Sequence, residues 1–300
     1  MRFRRTTTAV TVAIAALALA ACGDDGDDGG SSGSSAEPSV AETPDFEAGT
    51  TMARLADQGT IRVGTKFDQP GFGLENLDGD VEGFDVEVAK IIAGALGIEE
   101  GDIEFVQTPS AVREEVLEGG EVDMVVATYT INDARRERIS FAGPYYEAGQ
   151  QIMVASDNDD ITGPDSLADN PDAKVCSVTG STPSENIREY LASDDQLVLF
   201  DEYSQCADAL GNGQVDAVTT DNVILLGFVS ESDGEFKLVG EQFTEEPYGI
   251  GIPKGDVAFC EFINQTLADN EDAYVAAWES TAGQVEGTET PSLPEPQPCS

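Results

Sequence analysis

Three arginines stand close together after a hydroxyl-rich run in the stretch Ala127–Tyr146, ATYTINDARRERISFAGPYY. Past the first twenty-one residues the chain has twelve basic side chains, so this cluster holds a quarter of them. A guanidinium fork beside hydroxyl groups suits a carboxylate, because the fork donates two parallel hydrogen bonds. A salt-bridged surface turn is the competing interpretation. The residues concerned are Arg135, Arg136 and Arg138, preceded by Thr128, Tyr129 and Thr130.

Further polar groups occupy positions that border the ligand crevice in an open α/β sheet. Lys66 closes a strand-like run, and Asp221 lies where another run ends and a helix begins. There, a lysine can meet a carboxylate and an aspartate can meet an ammonium. Ser181 and Thr182 open a helix, where free backbone N–H groups can hold an anion. A solvated surface lysine, an N-cap aspartate and simple helix capping are the structural alternatives.

Together, these groups match the charged parts of an acidic amino acid, which are an α-carboxylate, an α-ammonium and a side-chain carboxylate. Catalytic chemistry has less support, because the chain contains no His and therefore no Cys–His or Ser–His pair. We expect no catalytic residue, no metal and no cofactor. The inventory favours a binding protein over an enzyme.

The N-terminus has the pattern of a processing signal. Arg2, Arg4 and Arg5 precede a short apolar run that ends Leu-Ala-Ala-Cys at Cys22, as in a bacterial lipobox. This pattern predicts a signal peptide over residues 1–21 and a lipid on the Cys22 sulfur; an ordinary secretory signal is the alternative. Residues 22–48 are rich in Gly, Ser, Asp, Glu and Pro, which predicts a flexible tether. The chain would then be extracytoplasmic, anchored to the membrane but not spanning it.

Charge and cysteine content limit the possible binding partners and indicate whether disulfides form. The formal net charge is −43, and −46 without residues 1–21, so we expect no binding to nucleic acid. Four cysteines follow Cys22, and an even number in an exported protein favours two disulfides. Of the three possible pairings, Cys176–Cys206 and Cys260–Cys299 are favoured, because each pair stays within one region of the proposed fold. Metal binding is the competitor, but no CxxC spacing is present.

From Ile61 onward, strand-like and helix-like segments alternate, which is typical of an α/β fold with helices covering a parallel or mixed sheet. Two similar units predict two lobes joined by two crossing strands, near Gln150–Val154 and Glu246–Ile250. The predicted domains are residues 49–149 with 250–285 for lobe 1, 150–249 for lobe 2, and 286–300 as a Pro-rich tail. A cleft between two lobes is a common ligand site.

One segment carries a family resemblance. Gly83-Phe84-Asp85-Val86-Glu87-Val88, continuing AKIIAGAL, resembles the signature of the family 3 extracellular solute-binding proteins, which have the type 2 periplasmic-binding-protein fold. The stretch Ala127–Tyr146, the string VDAVTTD and the string YGIGIPKGD resemble later landmarks of that family. The resemblance covers about residues 61–280. With its lipobox, acidic tether and cysteine positions, the chain looks most similar to actinobacterial glutamate-binding lipoproteins of ABC importers.

The resemblance implies a role for each candidate residue. Arg135, helped by Thr130 and the backbone near it, would bind the α-carboxylate, and Ser181 and Thr182 would close on the same group. Asp221 would bind the α-ammonium, and Lys66 would bind a side-chain carboxylate. Further ligand contacts would come from Thr128 and from a covering aromatic ring, Tyr129 or Phe72. Arg136 and Arg138 match no family role; a register shifted by one residue would make Arg136 the ligand residue.

The function implied is that of a lipid-anchored, monomeric receptor that closes on glutamate, aspartate or glutamine. Its further partners would be the permease subunits of an ABC importer. Two alternatives stay open at this point. One is an amino-acid sensor that feeds a membrane kinase, and the other is a dehydratase-type enzyme on the same fold.

Overall fold

The structure is a computed structural model that describes residues 39–42 and 44–300. The predicted signal peptide, the lipid site at Cys22 and the tether up to residue 38 lie outside the described residues. So does Thr43.

Within residues 39–42 and 44–300, the backbone forms nine α-helices and thirteen strands, besides short 3-10 turns. No helix in this part of the chain combines the length and apolar composition needed to cross a bilayer. The helices are α1 Thr51–Gln58, α2 Phe84–Ala95, α3 Arg113–Glu118, α4 Asp133–Arg138, α5 Thr182–Asn186, α6 Tyr203–Gly211, α7 Asn222–Glu231, α8 Val257–Asp269 and α9 Glu271–Ser280. The strands are β1 Ile61–Thr65, β2 Asp68–Gln69, β3 Gly73–Glu75, β4 Val81–Glu82, β5 Ile103–Gln107, β6 Met124–Val125, β7 Ser140–Ala148, β8 Gln150–Ala155, β9 Val175–Val178, β10 Leu197–Phe200, β11 Ala217–Asp221, β12 Phe236–Val239 and β13 Glu246–Ile252.

The strands form two five-stranded mixed sheets and one small sheet. The first has the order β5-β1-β6-β13-β7, the second β10-β9-β11-β8-β12, and β2, β3 and β4 make the small sheet. We use lobe 1 for the elements from α1 to β7 and from β13 to the end, and lobe 2 for the elements from β8 to β12. In each lobe the three parallel strands point their carboxyl ends at one edge, which is where an open α/β sheet binds ligands.

The chain crosses between the lobes twice, as the sequence predicts. β7 passes into β8 through Gly149, and β12 returns to β13 through residues 240–245. The crossings run side by side, because Phe243 N donates to Gln150 O at 3.0 Å and Glu246 pairs with Ala148. A Cβ on Gly149 would lie 2.8 Å from Thr244 O, so only glycine lets the two crossings approach this closely. Two adjacent extended segments are a suitable hinge.

Hydrophobic periodicity located most elements, and the differences have physical causes. The apolar run Val122–Ala127 is typical of a buried strand, but only β6 within it is strand, because the chain bends at Ala127 and Thr128. The small sheet and α4 carry little apolar periodicity and were not predicted. α4 is instead held by its cap, where the Asn132 side chain accepts from Arg135 N at 2.9 Å.

The packed body begins before residue 48, the predicted end of the tether. Ala41 N donates to Gly94 O on α2 at 2.9 Å. Phe46 packs edge-on against Phe262 on α8, with the ring centroids 5.4 Å apart. The last residues of the predicted tether therefore lie against lobe 1, because this short segment carries an aromatic ring that the lobe partly buries.

The structure contains the two favoured disulfides. Cys176–Cys206 ties β9 to α6 within lobe 2, and Cys260–Cys299 ties the Pro-rich tail to α8 in lobe 1. The tail also pairs with the edge strand β7, since Gln297 N donates to Gly143 O at 2.8 Å. A covered edge strand cannot pair with another chain.

Removing the tail disulfide should destabilise the protein measurably. The Cys260→Ala/Cys299→Ala variant frees a loop with a sequence separation of 39 residues. Chain-entropy arguments put the loss near 4 kcal/mol in the free energy of unfolding, about what Cys176→Ala/Cys206→Ala should cost. Denaturant titration measures both losses, and limited proteolysis should cut the tail only in the first variant. An unchanged unfolding midpoint together with an uncut tail would contradict this expectation.

Candidate functional site

Arg135 lies where the two lobes meet, and both lobes hold it. Its Nη1 donates to Thr130 O at 2.6 Å in lobe 1, and its Nη2 donates to Gly180 O at 3.1 Å in lobe 2. Nε lies 3.3 Å from Glu114 Oε1. The residue is 6% exposed, and burial, with the charge of Arg113, lowers its pKa to about 10. It therefore stays charged at neutral pH with its donors directed along the lobe interface.

The neighbouring arginines point elsewhere, which supports the predicted register. Arg138 forms a two-pronged pair with Glu118 on the surface, and Arg136 donates to the Gln297 side chain of the tail. Both side chains are more exposed than Arg135. The surface-turn interpretation thus holds for these two residues and not for Arg135.

The hydroxyls of Thr130 and Thr182 meet across the cleft. Thr182 Oγ1 lies 3.1 Å from Thr130 Oγ1 and 2.8 Å from Glu246 Oε2. Because a carboxylate only accepts, the Thr182 hydrogen goes to Glu246, and Thr182 is free to accept from Thr130. Ser181 caps α5 through its Oγ, which accepts from Ser184 N at 3.1 Å. The structure thus brings three of the predicted carboxylate-binding residues together, namely Arg135, Thr130 and Thr182.

Asp221 ends β11 in lobe 2 and occupies the N-cap position of α7, but its side chain does not cap that helix. Its Oδ2 accepts instead from the hydroxyl of Tyr248 at 2.6 Å, and Oδ1 has no hydrogen-bond partner among the described residues. The carboxyl is 3% exposed, and burial followed by the nearby charge of Glu246 raises its pKa to about 8. The capping alternative therefore fails, and one carboxyl oxygen stays available.

Lys66 follows β1 and is buried rather than solvated. Its Nζ donates to Ser110 Oγ at 2.9 Å, and the residue is 4% exposed. Burial first, and the charge of Arg113 second, lower its pKa to about 7. No carboxylate within the described residues forms an ion pair with it. A buried amine without a directly paired carboxylate can accept an anionic partner.

Thr128 and the two aromatic candidates differ in their surroundings. Thr128 has a left-handed backbone with φ of 43°, and its Oγ1 donates to Gln69 Oε1 at 3.0 Å. The Tyr129 ring lies against the Arg135 side chain, whose guanidinium carbon is 4.9 Å from the ring centroid. Phe72 packs in the lobe 1 core, where Phe84, Tyr146, Tyr248 and Trp278 surround it with ring centroids 6.1 to 6.2 Å away. A ligand contact for either ring stays a prediction.

Arg113 is a further cleft residue, and it is not among the candidates predicted from the sequence. Its Nη1 donates to Ala127 O at 3.0 Å, and its guanidinium carbon lies 4.1 Å from the Tyr129 ring centroid. The residue is buried, and its charge lowers the pKa of both Lys66 and Arg135. A signal was available, because Arg113 lies in the segment after β5, the strand that runs parallel beside β1.

Asp85 is a second buried acid, and its hydrogen bonds hold the backbone of the site in place. Its Oδ2 accepts from Thr128 N at 2.8 Å, and its Oδ1 accepts from the hydroxyl of Tyr145. Burial raises its pKa to about 7, opposed mainly by these two hydrogen bonds. Asp85, which lies in the string GFDVEV, thus fixes the unusual backbone of Thr128.

Several buried polar atoms lack a partner among the described residues, and most lie at the strand ends that face the cleft or next to them. They are Thr65 Oγ1, Gln69 Nε2, Arg113 Nε, Tyr129 Oη, Gln150 Oε1, Thr220 Oγ1 and Asp221 Oδ1. Buried polar groups are normally paired. Such a concentration between two lobes is the pattern of a site that completes its hydrogen bonds with a polar ligand.

The arrangement therefore offers complementary groups of both signs within one buried cleft. Arg135 with Thr130 and Thr182 can hold one carboxylate, Asp221 can hold an ammonium, and Lys66 can hold a second carboxylate. Nothing in this geometry requires a nucleophile or a general base. The chemistry favours reversible binding.

Comparison with known proteins gives consistent matches. The family of bacterial extracellular solute-binding proteins, family 3, matches residues 61–275. The glutamate-binding protein GluB of Corynebacterium efficiens is 42% identical over 232 residues, which cover 74% of this chain and 78% of that protein. The ABC transporter glutamine-binding protein GlnH of Bacillus subtilis is 39% identical and covers 72% of this chain and 78% of that protein. A solved ancestral arginine-binding protein bound to glutamine has a TM-score of 0.69 and 35% identity, over 74% of this chain and 97% of that chain.

Replacing Asp221 should stabilise the ligand-free protein in a pH-dependent way. The fold raises the pKa of this carboxyl from 3.8 to about 8, so wild-type stability falls as pH rises from about 4 to 8. Asp221→Asn removes that contribution and can still accept from Tyr248. Its melting temperature should exceed that of the wild type by several degrees at pH 8 and match it near pH 4.

Thermal melts between pH 4 and pH 9 without amino acids test this expectation. Asp216→Asn is the control, because Asp216 lies outside the cleft and accepts from Lys174 N at 2.7 Å. A difference between Asp221→Asn and wild type that does not change with pH would refute the prediction.

Proposed function

The chain belongs to the bacterial extracellular solute-binding proteins, family 3, and from this membership we propose that it delivers a polar amino acid, glutamate first, to an ABC importer. One observation carries the proposal, namely the buried guanidinium of Arg135, which is held by both lobes. A ligand carboxylate at that point would contact both lobes at once. Contacts of this kind favour the closed state, which is how a two-lobed receptor signals that it is loaded.

The proposed ligand pose follows from the charges. The α-carboxylate lies on Arg135, with the hydroxyl of Thr130 and the start of α5 at Ser181 and Thr182 around it. The α-ammonium lies on Asp221 Oδ1, the oxygen that has no partner among the described residues. Thr128 borders the ammonium end, and Tyr129 or Phe72 covers the aliphatic part. Lys66 then faces the end of the ligand side chain.

Glutamate is favoured over glutamine because of Lys66. A buried ammonium gains more from a carboxylate than from a neutral carboxamide. The related GluB is a glutamate-binding protein and the related GlnH is a glutamine-binding protein, so both ligands belong in the test. The absence of a carboxylate paired to Lys66 among the described residues leaves this amine free for an acidic side chain.

Export and anchoring complete the proposal. Residues 1–21 act as a signal peptide, and Cys22 carries the lipid that holds the receptor at the outer face of the cell membrane. Lobe 1 then comprises the elements from α1 to β7 and from β13 to the end, and lobe 2 comprises the elements from β8 to β12. As a monomer, the receptor meets its permease through the two lobes together.

Arg135 should be essential for binding. Arg135→Ala removes one partner of a buried ionic contact, a change worth about 2 to 5 kcal/mol, or roughly thirtyfold to several-thousandfold in affinity. Arg135→Lys keeps the charge but loses the fork and should recover only part of that affinity. Titration calorimetry of the exported chain against a panel of amino acids measures both effects.

The control for this experiment is Arg136→Ala, because Arg136 lies one residue away and contacts the tail. It should bind like the wild type. If Arg135→Ala retains wild-type affinity while Arg136→Ala loses it, the site assignment is wrong. If the wild type binds no amino acid, the proposed function is wrong.

The affinity for glutamate should be greatest between pH 7 and pH 8. The Lys66 pKa is about 7, and a bound carboxylate favours the protonated amine, so binding takes up a proton above pH 7. The Asp221 pKa is about 8, and a bound ammonium favours the ionised acid, so binding releases a proton below pH 8. Affinity therefore rises up to pH 7, stays level to pH 8 and falls beyond it.

Lys66→Gln separates the two contributions. This variant should keep the rise at low pH and lack the fall at high pH, with weaker glutamate binding throughout. Glutamine binding to the wild type should also lack most of the fall, since its side chain carries no charge. Calorimetry from pH 6 to pH 9 measures the profiles, and parallel profiles for wild type and Lys66→Gln would exclude a role for Lys66.

A further inference from the structure

Helix α6 of lobe 2 receives its N-terminal cap from the other lobe. The residue at its own N-cap position, Glu202, makes no side-chain hydrogen bond to the helix, and the first turn contains no acid. Asp68 of β2 in lobe 1 fills this role. Its Oδ2 accepts from Tyr203 N at 2.7 Å and from Ser204 N at 3.3 Å.

This cap can exist only while the lobes are together. The first N–H groups of a helix have no partner within the helix, and a carboxylate at that end also interacts favourably with the helix dipole. When the lobes separate, Tyr203 N and Ser204 N lose the carboxylate and must turn to water. Asp68 is 9% exposed in the closed arrangement, so the hydrogen bonds form largely away from solvent.

A second contact between the lobes lies on α7 and is purely steric. A Cβ on Gly227 would lie 2.6 Å from Pro70 O, which is closer than real Cβ atoms approach a backbone oxygen. The glycine at position 227 therefore allows the segment that follows Asp68 to pack closely against α7. Glycine inside a helix costs stability, so a packing reason for it is needed, and this contact supplies one.

We propose that Asp68 and the Gly227–Pro70 contact form an interlobe latch that sets how often the ligand-free receptor is closed, and thereby its affinity. Asp68 acts as a positioning residue, because it bonds to the helix backbone of lobe 2 and not to the amino acid. The consequence for affinity rests on the proposed function. The consequence for closure does not, because the latch consists of protein groups alone.

Asp68→Ala tests the hydrogen-bonded half of the latch. Small-angle X-ray scattering of the full chain without amino acids should show a larger radius of gyration than in the wild type. Calorimetry should show glutamate and glutamine both bound about tenfold to hundredfold more weakly, since hydrogen bonds to a charged group are lost. Asp78→Ala is the matched control, because it removes an exposed acid of the neighbouring β3–β4 turn and should leave both values unchanged.

The charge of Asp68 also raises the pKa of Lys66, which offers a competing explanation. If Asp68→Ala weakens glutamate alone, with glutamine affinity and the radius of gyration unchanged, that charge effect accounts for the loss and the latch is refuted.

Gly227→Ala tests the steric half without removing any polar group. Alanine favours the helix, so the variant should fold with an undiminished melting temperature, but its Cβ meets Pro70 O only when the lobes close. We expect a larger radius of gyration and at least tenfold weaker binding of both ligands. Gly211→Ala is the control, because its Cβ would lie 3.5 Å from Phe236 within lobe 2, an ordinary contact.

The outcomes separate the latch from the proposed function. Wild-type scattering and affinity in both Asp68→Ala and Gly227→Ala would overturn the latch. A wild type that binds no amino acid, while both variants still open in scattering, would support the latch and overturn the proposed function.

Discussion

The burial of a guanidinium is the constraint on which the cleft depends. Arg135 can stay charged away from water only if each nitrogen finds an acceptor. Lobe 1 supplies Thr130 O and Glu114, but the remaining acceptor, Gly180 O, belongs to lobe 2. Gly180 has φ of 76°, and a Cβ there would lie 2.7 Å from the backbone of Ala111, so the carbonyl reaches Arg135 only because this position is glycine. The pairing of one buried charge thus requires the lobes to be in contact.

The same cost of removing a charge from water determines the ionisation of the other titratable groups in the cleft. Burial drives Lys66 and Asp221 toward their neutral forms, with pKa values of about 7 and 8. Under the proposed function, a zwitterionic ligand with a second carboxylate would bring both counter-charges, and each would restore the ionised form of its partner. The ionisation of Lys66 and Asp221 would then depend on the ligand that lies beside them.

The sequence alone predicts those parts of this arrangement that depend on local pattern. The alternation of elements identifies both sheets, and the ends of their parallel strands locate Lys66 and Asp221. Arg135 can be distinguished from Arg136 and Arg138 only with the family register, since all three share one short segment. The roles of Glu246, Tyr248 and Asp68 could not be predicted from the sequence, for another reason. Their partners lie far along the chain or in the other lobe, and neither periodicity nor spacing reports how two lobes dock.

The interlobe contacts also limit how tightly the receptor can close. A receptor that delivers its ligand must reopen, so the closed and open states can differ by only a few kcal/mol. Most of the direct side-chain contacts fit this requirement, because they are polar: Arg135 donates to a carbonyl, Thr130 and Thr182 join their hydroxyls, and Asp68 caps a helix. Glu246 accepts from two side chains of lobe 2, and Asp221 accepts from the Tyr248 hydroxyl. Each exchanges readily for water on opening, whereas a large apolar interface would hold the lobes shut. The extensive apolar clusters lie instead around each sheet and its helices, where they keep each lobe rigid while the two crossings between β7 and β8 and between β12 and β13 absorb the movement.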